Sequence, residues 1–211
     1  RSTLLASSAA SDVYKRQHHM DPLEYLVPGR KRLPYGMMNF AVIRRDDCYY
    51  VDKTRFIPII EDADKFFFFN RPRRFGKSLT VSMLQHYYDI AAKDKFDALF
   101  GDLYIGKHPT SDRNSYLVLY LNFSGIVGEL HNYRKGLDAH CQTMFDYFCD
   151  IYADYLPQGI KEKLDEKEGA VEQFEYLFTE CNKTNQRIYL FIDEYDHFCL
   201  LYTSDAADEA R

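Results

Sequence analysis

The residues best placed to do chemistry are Phe75-Gly76-Lys77-Ser78 and, far downstream, Asp193-Glu194. The first group sets a glycine, a cation and a hydroxyl in consecutive positions. Backbone N–H groups from Phe75 to Ser78 can curl into a concave nest around a phosphate. The helix that follows adds unpaired N–H groups and the positive end of its dipole. Gly76 opens backbone dihedrals closed to other residues and lets the chain approach the anion. Lys77 reaches the β- and γ-phosphate oxygens as a point charge, and Ser78 offers its hydroxyl to Mg²⁺. At the second group, Asp193 holds the Mg²⁺ shell and Glu194 polarises an attacking water. The expected nucleotide contacts are Arg73, Arg74, Phe75, Gly76, Lys77, Ser78 and Leu79. The expected metal ligands are Ser78 and Asp193, and the expected catalytic residue is Glu194.

Such groups need elements that bring them together. The unbroken apolar run Phe66-Phe67-Phe68-Phe69 predicts a strand over Lys65–Asn70, and helical spacing follows from Lys77. A second apolar run, Ile188-Tyr189-Leu190-Phe191-Ile192, predicts a strand over Arg187–Asp193 that ends in the two acids. Strand, turn and helix, then a strand tipped with acids, is the build of a P-loop nucleotidase. The usual spacing G-x-x-x-x-G-K-[ST] asks for glycine at position 71, where Arg71 stands, and Pro72 has no N–H to donate. On the tripeptide alone, an exposed helix N-terminus with Ser78 near its cap explains Gly-Lys-Ser equally well. The flanking elements decide for nucleotide binding. Arg71, Arg73 and Arg74 could clamp polyphosphate, pair with acids, or face a nucleic-acid backbone.

Leu33-Pro34-Tyr35-Gly36, Tyr49-Tyr50-Val51-Asp52-Lys53-Thr54, Asn70-Arg71-Pro72-Arg73-Arg74-Phe75-Gly76-Lys77-Ser78 and Leu190-Phe191-Ile192-Asp193-Glu194-Tyr195-Asp196 together resemble the predicted AAA-ATPase-like family of bacterial P-loop proteins. Its members carry Arg-Pro-Arg-Arg-Phe-Gly-Lys-Ser as their phosphate loop (Walker A), so the resemblance makes the missing glycine a family feature. It implies ATP and Mg²⁺ as ligands, a Walker B strand ending at Asp193, and an α/β parallel sheet of the additional-strand type with helices on both faces. It also implies a frequent fusion to a restriction-endonuclease-like domain, through which nucleic acid could be a partner. By analogy with related ATPases, the N-terminal element that carries Asp52-Lys53-Thr54 lies near the adenine. The residues themselves give that signature no chemical role.

The two ends read differently. Ser7–Gln17 looks like one strand of a transposase-type sequencing adapter in translation, and Cys199–Glu209 like its reverse complement. One oligonucleotide accounts for both, so the expected organisation is an adapter-derived, disordered tail over 1–17 and an N-terminal extension over 18–63. A partial P-loop ATPase domain then runs over 64–198, with a second tail over 199–211. On that reading the fold is truncated after the Walker B strand. A later strand between the phosphate-loop strand and the acidic strand is then lacking, and the fragment itself is expected to be inactive.

A net charge of −5 gives no global argument for nucleic acid or a membrane, and no run reaches spanning length. A cytoplasmic protein is expected. Cys48, Cys141, Cys149 and Cys181 fit no zinc spacing, and His86, His131 and His140 lack companions at ligand spacing. Short helices are expected over Met37–Arg45 and Thr54–Ala63, flanking an extended Cys48–Val51. A helix over Lys77–Ala92 turns Val81, Leu84, Tyr88 and Ala91 inward. A polar loop over Gly106–Ser115 leads to a buried strand over Tyr116–Asn122. A helix over Tyr133–Tyr155 carries the stripe Leu137, Cys141, Met144, Phe145, Phe148 and Tyr152, which reads as core packing. Lys161–Glu168 reads as a solvated face, and a helix over Ala170–Lys183 turns Val171, Phe174, Phe178 and Cys181 inward. Two functions follow: an ATPase module controlling an attached effector, or a non-hydrolysing module that holds nucleic acid or a partner through its basic loop.

Overall fold

The computed structural model describes residues 31–63, 66–70, 72, 75–125 and 133–195. Its helices are α1 (Phe40–Arg45), α2 (Ile57–Glu61), α3 (Lys77–Tyr88), α4 (Phe96–Phe100), α5 (Tyr104–Lys107), α6 (Tyr133–Ile151), α7 (Ile160–Asp165) and α8 (Gly169–Lys183). Strands β1 (Leu117–Asn122) and β2 (Ile188–Asp193) pair in parallel, from Leu117 opposite Ile188 to Asn122 opposite Asp193. A parallel pair needs a long crossover, and α6, α7 and α8 lie between the two strands in sequence.

Alternation along the strands divides the interior into two cores. Leu117, Leu119, Leu121, Ile188 and Leu190 pack with Cys141, Phe145, Phe148, Leu177 and Cys181 of α6 and α8. Val118, Tyr189 and Phe191 face the other way, against Met83, Leu84, Tyr87 and Tyr88 of α3 and Phe100 of α4. Helices therefore cover both faces of a small parallel sheet, as an α/β arrangement requires. Asp193 shares the parity of Tyr189 and Phe191, which places it on the α3 face.

Local chemistry sets several boundaries. Asn39 caps α1 by accepting the Val42 N–H at 3.1 Å, so the helix begins later than the expected Met37. Helix α3 ends at Tyr88, short of Ala92, because Asp89 turns to extended backbone. The Asp89 carboxylate then accepts the Ala91 N–H and the Tyr152 hydroxyl, each at 2.8 Å. The buried face of α3 is Ser82, Met83, Leu84, Tyr87 and Tyr88, with Val81 only partly covered. The α6 stripe packs as its periodicity predicts, with Phe145, Phe148 and Tyr152 almost fully buried.

Three expectations need correction. In α8 the buried positions are Gln173, Leu177 and Cys181, while Val171 and Phe178 are exposed. The seam against α6 and α7 is partly polar: Gln173 Nε2 donates to Gln142 Oε1 and lies 3.5 Å from the Leu164 carbonyl. That draws a glutamine inward and turns Phe178 out. The Gly106–Ser115 loop begins inside α5. Most important, residues 66–70 form no ladder. Among the described residues the sheet is β1 and β2 alone, and neither pairs with this segment. Phe66 is 95% exposed and Phe68 68% exposed. Ring contacts hold the run instead: Phe67 on Phe69 at 6.0 Å and Phe68 edge-on to Tyr195 at 5.6 Å.

Candidate functional site

Gly76 is the residue that starts α3, at φ +78 in the left-handed region. A Cβ there would meet nothing within 4 Å. The requirement for glycine is therefore one of backbone conformation, which costs other residues roughly 1–2 kcal/mol. The helical ladder opens with the Thr80 N–H on the Gly76 carbonyl at 2.9 Å. Lys77, Ser78 and Leu79 carry the N–H groups that precede it, and no side chain caps them. The Phe75 N–H turns back to the Pro72 carbonyl at 3.3 Å, so the nest begins at Gly76 rather than at Phe75.

Across from this turn, β2 delivers its two acids. Lys77 Nζ lies 2.7 Å from Asp193 Oδ1 and 3.4 Å from Glu194 Oε1. The hydrogen bond to Asp193 raises the Lys77 pKa above its usual value; desolvation opposes the rise and Glu194 adds to it. Asp193 is only 8% exposed, and burying a charge this deeply requires partners. Besides Lys77 it has two. The Glu194 N–H donates to Oδ1 at 2.9 Å, and the Tyr120 hydroxyl donates to Oδ2 at 3.2 Å. Burial, with the Asp193 charge beside it, keeps the Tyr120 hydroxyl above the ordinary phenol range. Glu194 is more open and takes φ +53, a left-handed value unusual for a residue with a side chain.

A hollow of about 230 Å³ adjoins the same turn, lined by Pro34, Tyr49, Tyr50, Lys53, Leu79 and Thr80 among others. Of the Asp52-Lys53-Thr54 signature, Lys53 lines this hollow. Asp52 Oδ1 accepts the Thr54 N–H at 2.8 Å and the Thr54 hydroxyl at 2.6 Å, and Oδ2 accepts the Tyr104 N–H at 2.8 Å. Thr54 Oγ1 in turn accepts the Ile105 N–H at 3.2 Å. Burial pushes the Asp52 carboxyl up, but these bonds outweigh it and hold it below its usual value. Asp52 and Thr54 thus clamp the N-terminal segment to α5, which leaves Lys53 between them facing the hollow.

The expected site residues divide cleanly. Gly76, Lys77, Ser78 and Leu79 come together at the start of α3, and Lys77 meets Asp193 and Glu194. Arg73 and Arg74, like Arg71, lie outside the described residues. Tyr120 and Asn122 belong to the site and were not foreseen. Their sequence signal is two polar-tipped residues, i and i+2, closing an otherwise aliphatic strand. His86 and His140 are engaged by the Ser82 and Asn122 carbonyls, each at 2.7 Å. His131 is outside the described residues. The cysteines Cys48, Cys141, Cys149 and Cys181 are buried thiols. Burial pushes Cys149 up to about 11 and Cys181 up to about 12, so both stay protonated and unreactive near neutral pH. No helix among the described residues is long and apolar enough to cross a membrane.

A family model described as predicted AAA-ATPase matches residues 34–210. The chain is also 52% identical over 56 residues to an uncharacterized protein in the vnfD 5' region of Azotobacter chroococcum mcd 1. That alignment covers 26% of this chain and 11% of the relative, so the chain spans a small part of that protein's length. No solved structure matches.

Proposed function

Because the chain belongs to the predicted AAA-ATPase family, we propose that the intact protein binds Mg²⁺–ATP between the first turn of α3 and the tip of β2, and that these residues support its hydrolysis there. The observation that carries this reading is the 2.7 Å contact of Lys77 with Asp193 across the sheet–helix junction. A lysine at a helix N-terminus, next to unpaired N–H groups, meets a buried carboxylate where a polyphosphate and its cation need opposite charges side by side. The donors suit the cation. Ser78 offers a hydroxyl and Asp193 a carboxylate, and Mg²⁺ binds through one or two carboxylates with phosphate and water completing its shell.

In the bound state Lys77 turns from Asp193 to the β- and γ-phosphate oxygens. The Gly76–Leu79 N–H groups cradle the same phosphates, and Asp193 and Ser78 take the cation. Glu194, more exposed than Asp193, orients the attacking water and accepts its proton. The base enters the adjoining hollow. Pockets for drug-sized ligands run from about 300 to about 1,000 Å³, so a space of about 230 Å³ suits a base and part of its ribose. The remainder of the nucleotide lies along the turn.

Calorimetric titration with Mg²⁺–ATP tests the reading. Lys77→Ala is expected to weaken binding about 30-fold or more, the effect of truncating one member of a desolvated charged contact. Undiminished binding by that variant overturns the proposal. Glu194→Gln is expected to keep binding and to lower single-turnover hydrolysis about 100-fold or more. Equal rates in the two proteins remove Glu194 from the chemistry.

A further inference from the structure

Asp193 is gripped from two sides, and one side comes from a residue that the site has not yet used. Its Oδ1 takes Lys77 and the Glu194 N–H; its Oδ2 takes the Tyr120 hydroxyl at 3.2 Å. That hydroxyl is itself directed. Asn122 Nδ2 donates to it at 3.1 Å, so its own proton is left for Asp193. Asn122 is fixed in turn, because its Oδ1 accepts the Ser124 N–H at 2.9 Å and its carbonyl accepts His140 Nε2 at 2.7 Å. The result is a one-way series of hydrogen bonds running from the end of β1 into the acidic tip of β2. Register makes it possible. Asn122 stands opposite Asp193, and Tyr120, two residues back, projects from the same face.

We propose that Tyr120 is a positioning residue for Asp193, with Asn122 orienting its hydroxyl, so that the carboxylate keeps one aspect toward the cation site throughout nucleotide binding. The proposal rests on the Mg²⁺–ATP reading above. An aspartate χ2 is a broad, two-fold torsion, and a carboxylate held at one oxygen swings about it. Lys77 cannot supply the second hold during turnover, since it leaves Asp193 for the phosphates. Tyr120 can, because its grip on Oδ2 does not involve Lys77. A carboxylate has about four lone-pair sites. The phenol on Oδ2 and the Glu194 N–H on Oδ1 occupy two, so once Lys77 has left, one site on each oxygen is open to a cation.

The test is a Mg²⁺ titration of ATP binding to the purified intact protein, run beside ATP binding in EDTA. Tyr120→Phe keeps the ring and removes the hydroxyl. It is expected to raise the Mg²⁺ half-saturation concentration about tenfold or more, as loss of an outer-shell partner does, while affinity in EDTA stays unchanged. Asn122→Ala is expected to move the same quantity in the same direction by a smaller factor. A purely structural role would lower the melting temperature and both affinities together. Tyr120→Phe with unchanged Mg²⁺ dependence, where Asp193→Asn weakens it, overturns the positioning role and leaves the site reading intact. If Asp193→Asn also leaves Mg²⁺ dependence unchanged, the site reading fails and this proposal with it.

Discussion

Asp193 ends a ladder in which each residue from Ile188 onward is paired with β1, whereas Phe66–Asn70 has no strand beside it among the described residues. The two segments have similar apolar character and opposite fates. Leu190 and Phe191, partly buried, pack against two cores, while Phe66 stands 95% exposed. Hydrophobicity alone does not make a strand. A run becomes one when a neighbour takes its backbone N–H and C=O groups. Among the described residues, the acidic side is thus anchored by sheet pairing and the Gly76–Lys77 side by the start of α3.

Mutations on the two sides should separate widely. Leu119, 2% exposed on the β1 face that packs against α6 and α8, is expected to cost about 2–5 kcal/mol when changed to Ala, read as a denaturation midpoint. Phe66→Ser is expected to change stability by no more than about 0.5 kcal/mol, because that ring is already in solvent. A large loss from Phe66→Ser would mean that the lead-in is packed after all, and the contrast would break. The smallest expected effect joins the two halves. The Lys77 pKa is raised above 10.5 in the fold, so its stabilising contribution is complete below about pH 10.5 and declines as pH climbs through the raised value. At 33% side-chain exposure the contribution is small. The melting-temperature gap between the parent chain and Lys77→Met should stay constant from pH 7 to about pH 9 and narrow above about pH 10.5. A gap that widens on the alkaline side would show that Asp193 does not hold this lysine.

Much of this was legible in the residues because it depends on local rules. The meeting of Lys77 with Asp193 was expected from a Gly-Lys-Ser turn opening a helix and a distant apolar run ending in two acids. The α6 stripe follows from helical period. What stayed hidden depends on partners distant in sequence. Nothing near Gln173 announces that Gln142 and the Leu164 carbonyl await it, so Phe178 looks like the better core residue. Asp52-Lys53-Thr54 was visible as a pattern, but its clamp onto Tyr104 and Ile105 arises only once α5 is in place. Tyr120 reads as one more aromatic until the register sets Asn122 beside Asp193.

Glu194, just past the end of β2, adopts its left-handed backbone with a full side chain attached, and that has a cost the strand before it does not bear. Glycine at this position would relieve about 1 kcal/mol of torsional discomfort. Glu194→Gly is thus expected to melt slightly higher than the parent while losing the carboxylate proposed to orient water. On that proposal, durability and reactivity compete at a single position.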